Sequence, residues 1–139
     1  MGHLRFFLED PVDKTRDTID LPATLGAPAT ACKHLGDLCG AWLDTSRDLA
    51  ILLTSELVTN AVLHGEPPIT LTVVGQGTGM RVEVADANPS LPRPRQHVVG
   101  DIGGRGMALV ADLASDWGSV SVPDDGKVVW FTLPERAGT

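Results

Sequence analysis

The chain has no apolar run long enough to cross a bilayer. Its longest aliphatic stretch is Leu49-Ala-Ile-Leu-Leu53, whereas a spanning helix needs roughly 20 residues. Positive charge is also scarce. Lys and Arg number 11 against 18 Asp and Glu, which leaves a net charge of −7. That balance argues against nucleic acid or an anionic membrane as the main partner, because phosphate contacts need clustered Lys and Arg. It leaves a nucleotide open, since backbone amides and a metal ion can meet a few phosphate charges locally. Cysteine is limited to Cys32 and Cys39. Seven positions along a helix separate them by about 10 Å, too far for a disulfide. They read as small buried side chains of a reducing compartment. Arg5 and Phe6-Phe7-Leu8 are followed at once by Glu9, Asp10 and Asp13, so no signal peptide is expected. The chain reads as cytoplasmic.

What is present suits one domain. The 139 residues are 42% apolar and 21% charged, enough for a single core. Residues 1–17 form a weakly patterned, charged lead, and 18–139 form the domain. Thr18 to Leu21 predicts a short edge strand before Pro22. Ala29, Cys32, Leu35, Leu38, Cys39 and Trp42 follow helical spacing, which predicts a first helix over 27–42. Asp44 or Thr45 can cap a second helix that runs to His64, where Gly65 ends it. Pro67 and Pro68 block continuation. Alternation predicts a hairpin from 69–74 and 80–85. A long Pro- and Gly-rich loop follows from Asp86 to Gly104, and loops of that length are often functional lids. A short helix over 107–113 and strands over 119–122 and 127–133 complete the pattern. Antiparallel strands with helices on one face make an α+β two-layer sandwich.

The second helix carries the most informative residues. Its Leu and Val side chains point in nearly every direction, so it is expected to be buried on all sides. Yet Glu56, Asn60 and His64 lie four apart and share one stripe. An unpaired carboxylate costs several kcal/mol inside a protein, and a bound cation with a polar ligand can offset that. Mg²⁺ takes only one or two protein ligands beside nucleotide phosphates. Asn60 could supply one oxygen, and Glu56 could hold a metal-bound water or take a proton from an attacking hydroxyl. The plainer reading is that Glu56 pairs with an Arg and Asn60 caps a loop. His64 could touch phosphates or simply favour the helix C-terminus.

Other positions read both ways. Asp86 ends an alternating strand. Its carboxylate could accept from an adenine amino group and repel a guanine carbonyl, or it could only initiate a turn before Asn88-Pro89. Gly104, Arg105, Gly106 and Met107 enter a helix, where free amides bind phosphate. A flexible helix entry explains the same residues. Thr132, expected inward on the last strand, could hydrogen-bond near a base, although a β-branched strand residue needs no such reason.

Taken in order, these motifs resemble one family. Glu56-x-x-x-Asn60-Ala-x-x-His64-Gly65 resembles the N box of the GHKL ATPase superfamily. Asp86 after a strand resembles the start of its first glycine box, and Gly104-Arg-Gly106-Met107 its second. The resemblance covers about residues 18–134 and implies the Bergerat fold, a mainly antiparallel sheet backed by helices with ATP beneath a mobile lid. The size and the wording Glu-Leu-Val-Thr-Asn-Ala-Val-Leu-His-Gly are similar to the anti-sigma-factor serine/threonine kinase branch. That resemblance implies Glu56 as general base, Asn60 as the Mg²⁺ ligand, Asp86 as the adenine contact, backbone at Gly104 and Gly106 facing phosphate, and a lid over about 88–103. The first glycine box normally reads Asp-x-Gly-x-Gly; here it is Asp86-Ala-Asn-Pro-Ser90, which stiffens the root of the lid.

Two functions follow as expectations. One is a kinase that uses Mg-ATP to phosphorylate a STAS-type antagonist and, in its other state, sequesters a sigma factor. The alternative is a non-catalytic module in which ATP is a structural ligand and protein association is the function. A homodimer is a further expectation from the branch.

Overall fold

The computed structural model describes residues 15–38, 44–76, 79–90, 109–122 and 124–134. Five strands form one sheet: β1 (Thr15–Leu21), β2 (Ile69–Gln76), β3 (Gly79–Asp86), β4 (Asp116–Val122) and β5 (Gly126–Pro134). Two long helices, α1 (Ala27–Leu38) and α2 (Asp44–His64), separate β1 from β2. The sheet order is β1-β2-β3-β5-β4, and every neighbouring pair is antiparallel. The expected α+β sandwich is therefore what the chain forms. β1 lies at the edge as expected, but it begins at Thr15 and so takes up the end of the lead. Residues 109–113 are helical; the rest of the segment expected to be helical before them, like residues 39–43, lies outside the described residues.

Register shows why these strands make a sheet with one apolar face. Leu71 sits opposite Ile19 and Val84, Val73 opposite Val82, and Val82 opposite Phe131. Side chains alternate across a strand, so Ile69, Leu71, Val73, Met80, Val82, Val84, Val129, Phe131 and Leu133 share one face. All are buried, and the helices cover them. Ala27, Ala31 and Leu35 recur one turn apart on α1, while Ala50, Leu53, Leu57, Val58 and Ala61 supply the core stripe of α2. Each fully buried Leu, Val or Phe contributes roughly 1.5–3 kcal/mol.

One expectation about α2 fails. Leu52 and Leu63 remain 41% and 43% exposed. A two-layer fold covers a helix only on the side facing the sheet, so apolar residues on the back of α2 stay in contact with solvent.

The second face of the sheet is packed differently. The Arg81 guanidinium lies 4.0 Å from the centre of a Trp130 ring, and its Nε donates to Glu83 Oε2 at 3.1 Å. Gly118 makes room for that indole: a Cβ there would fall 2.6 Å from the ring. The β4–β5 turn depends on Gly126, whose φ is +105°. An added Cβ would lie 2.0 Å from the Asp86 carbonyl oxygen. This close approach fixes where β5 starts relative to the end of β3.

Candidate functional site

The apolar face of the sheet turns polar at one end. The row that contains Leu21 and Ile69 ends in Asp86 and Lys127, which lie directly opposite each other on β3 and β5. Lys127 Nζ donates to both Asp86 oxygens, at 3.1 Å to Oδ1 and 3.0 Å to Oδ2. The two side chains are 4% and 2% exposed. Oδ1 also accepts from the backbone N–H of Asn88 at 2.7 Å and of Glu66 at 3.3 Å. Removing a carboxylate from water is costly, and these four contacts together offset that cost.

The C-terminus of α2 is built against this carboxylate. Gly65 closes the helix with a bond from its N–H to Ala61 O at 2.8 Å. A Cβ on Gly65 would lie 2.5 Å from Asp86 Cγ, so only glycine permits the helix to end there. Ala87 N–H donates to Glu66 O at 2.8 Å, and Asn88 Nδ2 donates to His64 O at 2.8 Å. Lys127 also donates to Asn88 O at 3.0 Å. Asn88 thus satisfies a carbonyl that helix geometry leaves unpaired. In place of a glycine, the loop root has an asparagine that ties it to α2.

The other residues of the stripe are less committed. Asn60 is 7% exposed, and its side chain makes no hydrogen bond with the protein among the described residues. The amide is not among the buried polar atoms left without a partner, so its atoms reach the surface of the helix, where a ligand can meet them. Glu56 is half-buried and forms no ion pair among the described residues. The loop and the arginines of the plainer reading, from residue 91 to 108, lie outside the described residues. His64 is exposed and takes part through its carbonyl. Among the described residues no group of three His, Cys, Asp or Glu could hold a metal ion.

Thr132 requires a correction. It was expected to face inward, but the inward residues of β5 are Phe131 and Leu133. Thr132 sits opposite Arg81 on the second face, away from Asp86. Alternation on β5 decides the matter, and it selects Lys127 in the same row as Asp86. Lys127 was missed by sequence reasoning, although a lysine in phase with Val129, Phe131 and Leu133 is a charged residue on an apolar face. Gly104, Arg105, Gly106, Met107 and the lid beyond Ser90 lie outside the described residues.

The model of the histidine kinase-like ATPase domain family matches residues 21–133. The chain belongs to this family. Two solved structures share the fold. One comprises the RsbU and RsbW domains of Rv1364c from Mycobacterium tuberculosis, with a TM-score of 0.66 and 20% identity over 86% of this chain and 32% of that one. The other is the histidine kinase domain of the blue-light activated kinase EL346 from Erythrobacter litoralis, with a TM-score of 0.52 and 19% identity over 79% of this chain and 60% of that one. The chain spans about a third of the first structure's length. No curated protein matches it. The membership of the GHKL-type ATPases and the α+β fold expected from the motifs thus hold.

Proposed function

We propose that this domain binds a magnesium nucleoside triphosphate, ATP above all, beside α2, and that it acts as a regulatory protein serine/threonine kinase on a STAS-type antagonist or as a sequestering partner of a sigma factor. The observation that carries the reading is Asn60: a nearly buried amide on the same helical stripe as Glu56, with no partner in the protein among the described residues. Asn60 would supply one oxygen to Mg²⁺, which neutralises phosphate charge when bound. Glu56 would accept the hydroxyl proton as the serine or threonine oxygen attacks the γ-phosphorus and ADP departs. Glu56 suits that role because no cation among the described residues holds its carboxylate.

The test is calorimetry with Mg-ATP on wild type and Asn60→Ala, followed by transfer of labelled phosphate to a candidate antagonist. Binding should be lost in Asn60→Ala, while Glu56→Ala should bind but not transfer. Equal dissociation constants for wild type and Asn60→Ala would remove the metal role. Transfer that persists in Glu56→Ala would remove the base.

The second reading, a non-catalytic binding module, is favoured by a different observation. The Asp86 carboxylate is already engaged by Lys127 and two backbone amides. Tight Mg-ATP binding without transfer to any antagonist would support that reading.

A further inference from the structure

We infer that Lys127 is the specificity-determining residue at the base end of this site, and that it removes the preference for a 6-amino purine that Asp86 alone would impose. The inference rests on the nucleotide reading above and deepens it.

The argument is one of donors and acceptors. A free carboxylate offers acceptor positions only. It therefore favours an amino group at the purine 6-position and repels a 6-oxo group. Asp86 is not free. Oδ1 already accepts from Asn88, Glu66 and Lys127, and Oδ2 accepts from Lys127. Oδ1 is fully committed and Oδ2 keeps one acceptor position, but the adjacent ammonium offsets the negative charge that would strengthen a bond there to an amino group. The three N–H groups of the ammonium are committed to the two Asp86 oxygens and to Asn88 O, so it acts on a 6-oxo group through its charge, which offsets the repulsion by the carboxylate. Both effects act in one direction: they weaken the gain from adenine and relieve the penalty on hypoxanthine or guanine. The pair is also held from β5, directly across from Asp86. The ammonium is held there by its bonds to Asp86 and to Asn88 O, and the lysine side chain is 4% exposed.

The test measures the dissociation constants of Mg-ATP, Mg-ITP and Mg-GTP by calorimetry. ITP differs from ATP only at the 6-position and its neighbouring ring nitrogen. Wild type should bind ATP and ITP within about threefold of each other, because the ammonium offsets the carboxylate charge on which the discrimination depends. Lys127→Thr should widen the ratio to about tenfold or more, mainly through tighter ATP binding. Lys127→Gln keeps length and hydrogen bonding without charge, and it serves if the threonine variant does not fold. Wild type that prefers ATP over ITP by about a hundredfold would overturn the inference while leaving the nucleotide reading intact. A ratio unchanged by loss of the Lys127 charge would do the same. Failure of all three nucleotides to bind wild type would remove the nucleotide reading and this inference with it.

Discussion

Replacing Lys127 by Met is the most direct probe of how this fold is held at its functional end. The substitution keeps the aliphatic stem and removes the charge. Asp86 would then be a carboxylate 2% exposed, supported only by the N–H groups of Asn88 and Glu66, one of them at 3.3 Å. Breaking a buried pair by removing one partner costs about 3–5 kcal/mol, chiefly because the other charge stays behind. At roughly 2.1 cal/mol/K of unfolding entropy per residue, a domain of this size loses about 3.4 °C of Tm per kcal/mol. The expected fall is therefore about 10–17 °C. Asp86→Asn should cost a similar amount, since it strands the ammonium. The double variant should cost far less than the sum, because no charge is left buried alone. Scanning calorimetry and urea titration of all four proteins give the cycle directly. A Lys127→Met protein within about 1 kcal/mol of wild type, or a double variant whose losses simply add, would refute the reasoning.

The remaining predictions concern Gly126 and Cys32. Gly126→Ala should destabilise by more than the roughly 1–3 kcal/mol of a strained backbone position, because its Cβ would also meet the Asp86 carbonyl oxygen at 2.0 Å. A urea midpoint unchanged from wild type would contradict this. Burial pushes the Cys32 thiol up, partly opposed by a hydrogen bond from Ser55. The fold therefore favours the neutral thiol. That stability is fully present below the unfolded thiol value of about 8.5 and is lost as the pH rises through the folded value. Urea midpoints should fall more steeply above about pH 8.5 in wild type than in Cys32→Ser, and parallel pH profiles would show that burial of the thiol is unimportant.

The layers of this fold were legible because they rest on period. Alternation in 69–74 and 80–85 located β2 and β3, and helical spacing from Ala29 to Leu38 located α1. The polar stripe of α2 was legible for the same reason: Glu56 and Asn60 interrupt an apolar helix at a one-turn interval. What stayed hidden depends on tertiary register. Asp86 was found as a carboxylate at a strand end, but nothing local says that β5 inserts between β3 and β4 and brings Lys127 opposite it. The inward expectation for Thr132 failed for a related reason. Position within a strand decides facing only once the strand's phase is known, and here the phase is set by Phe131 and Leu133 against Val82 and Met80. The exposure of Leu52 and Leu63 was hidden because composition does not say how many layers cover a helix.

The α2 stripe and the Asp86–Lys127 pair lead to different expectations about the proposed nucleotide site. Where we propose that phosphates bind, Asn60 and Glu56 have no partners among the described residues, the condition that a metal-bound triphosphate would exploit. At the base end, Asp86 is satisfied from four directions, and Asn88 ties the loop root to the C-terminus of α2. Ligand binding energy would then come mainly from phosphates and metal, with little from the base. Such a site senses the charge and length of the phosphate chain more than the identity of the purine. Triphosphate against diphosphate should therefore separate affinities more widely than ATP against ITP. That ordering follows from the open Asn60 and Glu56 side chains together with the Asp86–Lys127 pair, whatever protein the domain regulates.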